Sequence, residues 1–143
     1  MEQLHHLLVR GAVSAILVLS LTAFSPFDDV PRASVFDPEE LSSDWELLDT
    51  NDDGQIDYAV VVDDDGLLVR ASMDYSGDGL FDNFYAYDEG RLVMHEIDSN
   101  SNGRVDLRVF VTEGDQVVGF EQDTNHDGTM DRIEVYDEED SEP

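Results

Sequence analysis

The 143-residue chain contains no cysteine and no lysine. Without cysteine there is no disulfide framework, no thiol catalysis, no thiolate metal site and no lipid-modified cysteine anchor. A small exported domain without disulfides needs another staple, and bound metal is the usual one. Positive charge is scarce too: seven arginines stand against 35 acids, for a net charge of −28. Such a chain cannot hold nucleic acid by charge, because phosphate binding needs a basic surface. An anionic membrane surface would repel it equally. Histidine occurs only at His5, His6, His95 and His126. None stands beside a serine or glutamate at a spacing that suggests acid–base chemistry or a zinc site. Glycines in phosphate-cradling order are absent. Carboxylates are so abundant that an Asp–Glu pair says nothing about glycoside hydrolysis. We therefore expect a protein that is not an enzyme.

Long apolar runs are also missing, with one exception. Gly11–Phe24 is uninterrupted apolar and small residues, preceded by a short head ending in Arg10. It is shorter than the roughly 20 residues of a membrane span. That matches the apolar region of a secretory signal, so residues 1–25 are expected to be a signal peptide or an N-terminal anchor. A buried core helix is the third reading. The expected location is exported: secreted, periplasmic or at the cell surface. Membrane contact would come only through this segment, if it is kept.

What the chain does contain is a repeat. Asp123-Thr-Asn125-His-Asp127-Gly128-Thr-Met-Asp131 places oxygen side chains on alternate residues, then a glycine, then a closing aspartate. The same spelling runs from Asp49 (Asn51, Asp53, Gly54, Gln55, Asp57), from Asp74 (Ser76, Asp78, Gly79, Leu80, Asp82) and from Asp98 (Asn100, Asn102, Gly103, Arg104, Asp106). The starts lie 25, 24 and 25 residues apart. Calcium is a hard cation that takes six to eight oxygens at about 2.3–2.6 Å. Alternate side chains of a tight loop can converge on such an ion, and the glycine permits the sharp turn. The following residue would lend its backbone carbonyl, so its identity is free: Gln55, Leu80, Arg104 and Thr129 fit. An apolar residue then packs inward (Ile56, Phe81, Val105, Met130), and an aspartate completes the shell directly or through water. Asp, Asn and Gly are ordinary turn residues, so one such loop could be an accident. Four in register point to up to four calcium ions. Eight positive charges would take −28 to −20. High-salt adaptation is the rival account of the acids.

The loops resemble the calcium loop of the EF-hand family. They are closer still to the short form seen in dockerin modules and thrombospondin type 3 repeats. The resemblance covers four nine-residue segments, about a quarter of the chain. An EF-hand would carry an acid three residues beyond the last aspartate. Those positions hold Val60, Tyr85, Val109 and Glu134, so only the fourth loop could supply it. Strand-like runs follow here instead of a helix. The resemblance implies the loop chemistry, not the helix–loop–helix fold or the cohesin-binding role of dockerins. The whole 25-residue unit also resembles repeats of uncharacterised bacterial exported proteins, which implies no activity.

The rest of each unit reads as a hairpin. Ile56–Val62, Phe81–Tyr87, Val105–Val111 and Met130–Tyr136 are rich in Val, Ile, Phe and Tyr, as strands are. Acid-and-glycine turns follow at 63–66, 88–90 and 113–115, then second strands at Leu67–Met73, Arg91–Ile97 and Gln116–Gln122. The expected fold is all-β: an antiparallel meander of seven or eight short strands, with calcium loops along one edge. Residues 26–42 hold three of the four prolines and read as a linker. Asp37-Pro38-Glu39-Glu40 could start a helix reaching Leu48, although we favour a strand through Trp45–Leu48. The four-repeat domain spans 43–137, and 138–143 is an acidic tail. In the second strands Arg70, Ser72, Glu96 and Glu121 share one side; Val69, Ala71, Met73, Val93, Ile97, Val118 and Phe120 share the other. One open sheet would leave much of this wet. It should curl, be covered by residues 26–48, or meet a partner. Trp45 and the tyrosines at 58, 75, 85, 87 and 136 serve either strand packing or a sugar surface. The expected partner is a surface protein or a glycan.

Overall fold

A computed structural model describes Arg32 and residues 35–112 and 116–136. The expected signal segment, the turn at 113–115 and the tail at 138–143 lie outside the described residues. The described chain forms one eight-stranded antiparallel sheet whose order in space is its order in sequence. The strands are β1 (Glu46–Leu48), β2 (Tyr58–Val62), β3 (Leu68–Met73), β4 (Asn83–Asp88), β5 (Arg91–Ile97), β6 (Leu107–Val111), β7 (Val117–Gln122) and β8 (Arg132–Val135). This is the expected meander. A single 3-10 turn at Pro38–Glu40 (capped by the Asp37 side chain) takes the place of the rival helix, and the chain re-enters as strand at Glu46. Proline at the first turn starts such a helix well, and Leu41, Trp45 and Leu48 fall at helical spacing, but the chain turns at Ser42–Trp45, where the Trp45 N–H donates to the Ser42 carbonyl at 3.2 Å.

The loop-following strands β2, β4, β6 and β8 begin two residues later than the apolar runs suggest. Ile56, Phe81 and Val105 still belong to the loop ends, and they point into the core rather than into the ladder. The β4–β5 hairpin is the tightest: Glu89 and Gly90 both have positive φ, 49° and 76°, and Asp88 pairs with Arg91. Two left-handed residues in a row match the right-handed twist of the flanking strands. The β2–β3 turn is longer and closes by Asp63 N–H donating to Leu67 at 2.9 Å. The one-residue shortening of the second repeat therefore falls in its turn.

The sheet is covered on one face by residues 35–45, most of them from the stretch read as a linker. Phe36, Leu41 and Trp45 pack on Ala59, Phe81 and Phe84, together with Ile56 and Val105 from the loop ends. Phe36 meets Phe84 edge to face, with centroids 5.0 Å apart, and its carbonyl accepts the Phe81 N–H at 2.8 Å. A second cluster, Ala86, Met94 and Phe110, lies further across the sheet. Arg32 sits over the Phe110 ring, its guanidinium carbon 5.6 Å from the centroid.

Strand parity places Arg70, Ser72, Glu96 and Glu121 on one side as expected, and that polar side is the covered one. Val93 and Val118, expected opposite, pack on Ala86, Met94 and Phe110, where the register shifts between Ala86 and Tyr87 and between Phe110 and Val111. Glu96 is 1 % exposed and Glu121 3 %. Register places Arg108 between them on β6. Its guanidinium lies 2.7 Å from Glu96 and 3.4 Å from Glu121, and Arg32 approaches Glu121 at 4.0 Å. Buried carboxylates are tolerated only when paired in this way.

The opposite face carries half-buried Tyr58, Tyr85, Tyr87, His95, Val109 and Phe120. His95 stacks on Tyr85, with centroids 4.4 Å apart, and its Nε2 is 2.8 Å from the Asn83 side-chain oxygen. Burial lowers the His95 pKa below its ordinary value near 6.5. The neutral ring is thus favoured by the fold. Its contribution is complete above about pH 6.5 and is lost as pH falls through that value toward the lowered one. An NMR titration should place the His95 midpoint below that of a histidine in a short peptide. His95→Gln should flatten the stability loss that begins as pH falls below about 6.5; an unshifted midpoint would contradict the burial.

Candidate metal centre

All four loops lie at the same end of the sheet, between β1 and β2, β3 and β4, β5 and β6, and β7 and β8. Each passes through the left-handed region twice, at its fourth and sixth residues. The fourth residues are Asp52, Gly77, Ser101 and His126 (φ 62°, 75°, 54° and 59°). The sixth are Gly54, Gly79, Gly103 and Gly128 (φ 91°, 90°, 77° and 93°). The sixth-position glycines are what φ near 90° demands. The fourth position gives no signal in the sequence because Asp, Ser and His stand there. Asp and His are among the side chains found more often than most at positive φ.

Oxygen side chains hold the backbone in this shape. The first aspartate receives the amides of the fifth and sixth residues: Asp49 from Asp53 and Gly54 at 3.2 and 2.8 Å, Asp98 from Asn102 and Gly103 at 3.1 and 2.7 Å, Asp123 from Asp127 and Gly128 at 3.2 and 2.7 Å. Asp74 takes Gly77 and Gly79 instead. Asn51 and Asn125 accept from the amides of Asp53 and Asp127, each at 2.9 Å. Asp53, Asp78 and Asp127 accept from Gln55, Leu80 and Thr129, at 2.9, 3.0 and 2.9 Å. In the third loop the Arg104 amide donates to Asp98 rather than to Asn102.

The closing aspartates face back across each loop to its second residue. Asp57 accepts from the Thr50 amide and hydroxyl at 2.9 and 2.8 Å. Asp131 does the same with Thr124, Asp106 with Ser99, and Asp82 takes the Tyr75 and Ser76 amides. The Thr50 amide and then its hydroxyl hold the Asp57 carboxyl below its usual range. For Asp123 burial works against ionisation, but amides led by Gly128 and Asp127 outweigh it, and its pKa is lowered. Hydrogen bonds to the charged form have this effect. Both groups add stability above about pH 4 that is lost as pH falls through their lowered values.

The first, third and fifth side chains thus share one turn in loops one and four, whereas in loop three Asn100 donates to the closing Asp106 instead; in all four the closing aspartate clasps the loop's entrance. Among the described residues no group of three histidine or carboxylate side chains converges on one point. The donors that fit a hard cation are a mixed set of carboxylate, side-chain amide, hydroxyl and backbone oxygens. All are oxygens, as calcium requires. The free seventh position has a role of its own. The Gln55 side-chain oxygen comes within 3.3 Å of where a Cβ on Gly79 would stand, and the Arg104 guanidinium within 2.9 Å of one on Gly128. Each of these side chains leans on the next loop's glycine. His126 is half-exposed and reaches Asn100 at 2.8 Å and Asp106 at 3.5 Å. Loops three and four are therefore in contact.

No family model matches the chain, and no curated protein does. A solved structure of accessory secretory protein 1, 2 and 3 from Streptococcus pneumoniae is similar at 13 % identity and a TM-score of 0.44. The similarity covers 75 % of this chain and 22 % of that one.

Proposed function

We propose that the chain is an exported, non-enzymatic calcium-binding repeat module in which calcium stabilises the fold. The observation that carries this reading is the recurrence of one oxygen-rich loop four times at one end of a sheet, with the same two left-handed turns each time. A physical route from metal to fold supports it. The residue just before the closing aspartate enters the core in three loops, as Ile56, Phe81 and Val105. An ion that fixes a loop also fixes the position of that side chain. Self-repulsion in a chain of −28 gives cations further reason to bind. Where sites do not exist in the unfolded chain, binding energy becomes folding energy. The partner is a surface protein or a glycan met in a calcium-rich setting.

A second reading, a sensor or buffer with a preformed fold, is favoured by the cluster of Ala86, Met94 and Phe110. That cluster and the Arg108 ion pairs include no loop residue. Far-UV circular dichroism of the full chain in chelator separates the two. Loss of strand signal supports calcium as the staple; retention, with calcium still binding, supports the sensor.

The sites should differ. Loops one, two and four each carry three aspartates at ligand positions, whereas the third has Asn102 in place of one and Arg104 beside it. Affinity follows ligand charge. Asn102→Asp should tighten the weakest step of a calorimetric calcium titration about tenfold. An unchanged titration would remove Asn102 from the ligand set.

A further inference from the structure

A cavity of about 240 Å³ lies between the covering segment and the sheet, remote from the loops, and it opens to solvent beside Glu40 and Ser42. Its walls include Val35, Leu41 and Trp45 on one side and Arg70, Ser72 and Glu96 on the sheet. The two charges on the sheet side differ in state. Glu96 is already compensated by Arg108 at 2.7 Å. Arg70 is half-buried and, among the described residues, makes no hydrogen bond or ion pair. In a chain with 35 acids a half-buried arginine without a carboxylate partner is unexpected. Partly desolvated charge is costly until it is paired. We infer that this cavity binds a small carboxylate with an apolar body, its head on the Arg70 guanidinium and its body against Val35, Leu41 and Trp45.

A planar guanidinium receives a carboxylate in two parallel hydrogen bonds, which gives the head group its orientation. Ser72, 3 % exposed, adds a hydroxyl on the same wall. The acidic chain as a whole repels anions, but at physiological salt that field decays over about 8 Å. Glu40 at the mouth is the nearby charge that opposes entry. The carboxylate belongs to a free short-chain acid or to the C-terminal residue of a peptide; the head-group chemistry is the same.

Trp45 is the chain's one tryptophan, so its fluorescence reads the cavity directly. The experiment titrates the full chain, held in saturating calcium, with hexanoate, hexanamide and N-acetylleucine. Hexanoate should shift Trp45 emission saturably, and hexanamide should bind at least tenfold more weakly. Preference for N-acetylleucine over hexanoate identifies a chain terminus as the source; the reverse identifies a free acid. Arg70→Met should weaken hexanoate at least tenfold, Arg70→Lys should keep part of the binding, and Glu40→Gln should tighten it several-fold. Far-UV spectra matching the parent show that the variants fold. No saturable response in the parent overturns the inference, as does equal binding of acid and amide or unchanged binding by Arg70→Met. The result does not depend on whether calcium holds the fold together.

Discussion

Removing calcium will lower the melting temperature of the full chain by about 20 °C or more. Each site saturated to tenfold over its dissociation constant contributes about 1.4 kcal/mol, because ligand that binds only the native state stabilises it by RT ln(1 + [L]/Kd). Four such sites sum to roughly 5–6 kcal/mol, which for a domain of about 100 residues corresponds to several degrees per kcal/mol. The contribution is comparable to the whole stability of a small domain. The measurement is a pair of thermal melts followed by circular dichroism, one in excess calcium and one in chelator. Magnesium is the control. It is smaller, demands octahedral geometry and gives up its water reluctantly, so it should restore little of the shift. Coincident melts would sink calcium stabilisation. The loops would then be turns held by their own hydrogen bonds, and salt tolerance would be the better account of the acids.

The meander was legible because the repeat carries it twice over. Each loop resets the register, and each Val-, Ile-, Phe- or Tyr-rich run between loop and turn has the length and composition of a strand. Local spacing determines such a fold, since every strand pairs with its neighbours in sequence. The loop glycines were legible for the same reason. The location of the core was not. Alternation along the second strands separates Ala71 and Phe120 from Arg70, Ser72, Glu96 and Glu121, and ordinary burial preference would turn the apolar set inward. The structure covers the other side. The apolar weight that decides it comes from β4–β6, through Phe84, Ala86, Met94 and Phe110, and from a covering segment whose prolines and acids suggest a linker. The sequence did hold the clue to the buried charges. Counting through the turns places Arg108 opposite both Glu96 and Glu121, but that pairing only acquires meaning once the register is known. Contacts between loops, such as Asn100 with His126, lie 26 residues apart and had no local signal at all.

Arg108→Met will therefore destabilise the domain by about 3–5 kcal/mol, although the side chain lies outside every loop. The substitution keeps an unbranched apolar stem and removes the charge that compensates two carboxylates, 1 % and 3 % exposed. Breaking a buried pair by removing one partner is costly because the other is left as uncompensated charge. Arg32, 4.0 Å from Glu121, remains to offset part of that charge. The size of the loss depends on burial rather than on the ion pair as such. A triple variant tests this: Glu96→Leu and Glu121→Leu combined with Arg108→Met should recover most of the lost stability, since apolar replacement of a whole buried network is often neutral or better. Urea unfolding of parent, single and triple variants in saturating calcium measures both steps. A single variant as stable as the parent would show that the carboxylates reach water, or protonate, in the folded protein. A triple variant no better than the single one would locate the loss in side-chain packing on the covered face rather than in uncompensated charge. The network is thus a means of fixing register. Only one alignment of β5, β6 and β7 places Arg108 between its two acids. A slip of β6 by one residue would turn Arg108 to the opposite face, away from both acids. That constraint holds the meander in the register that keeps the four loops level at its end.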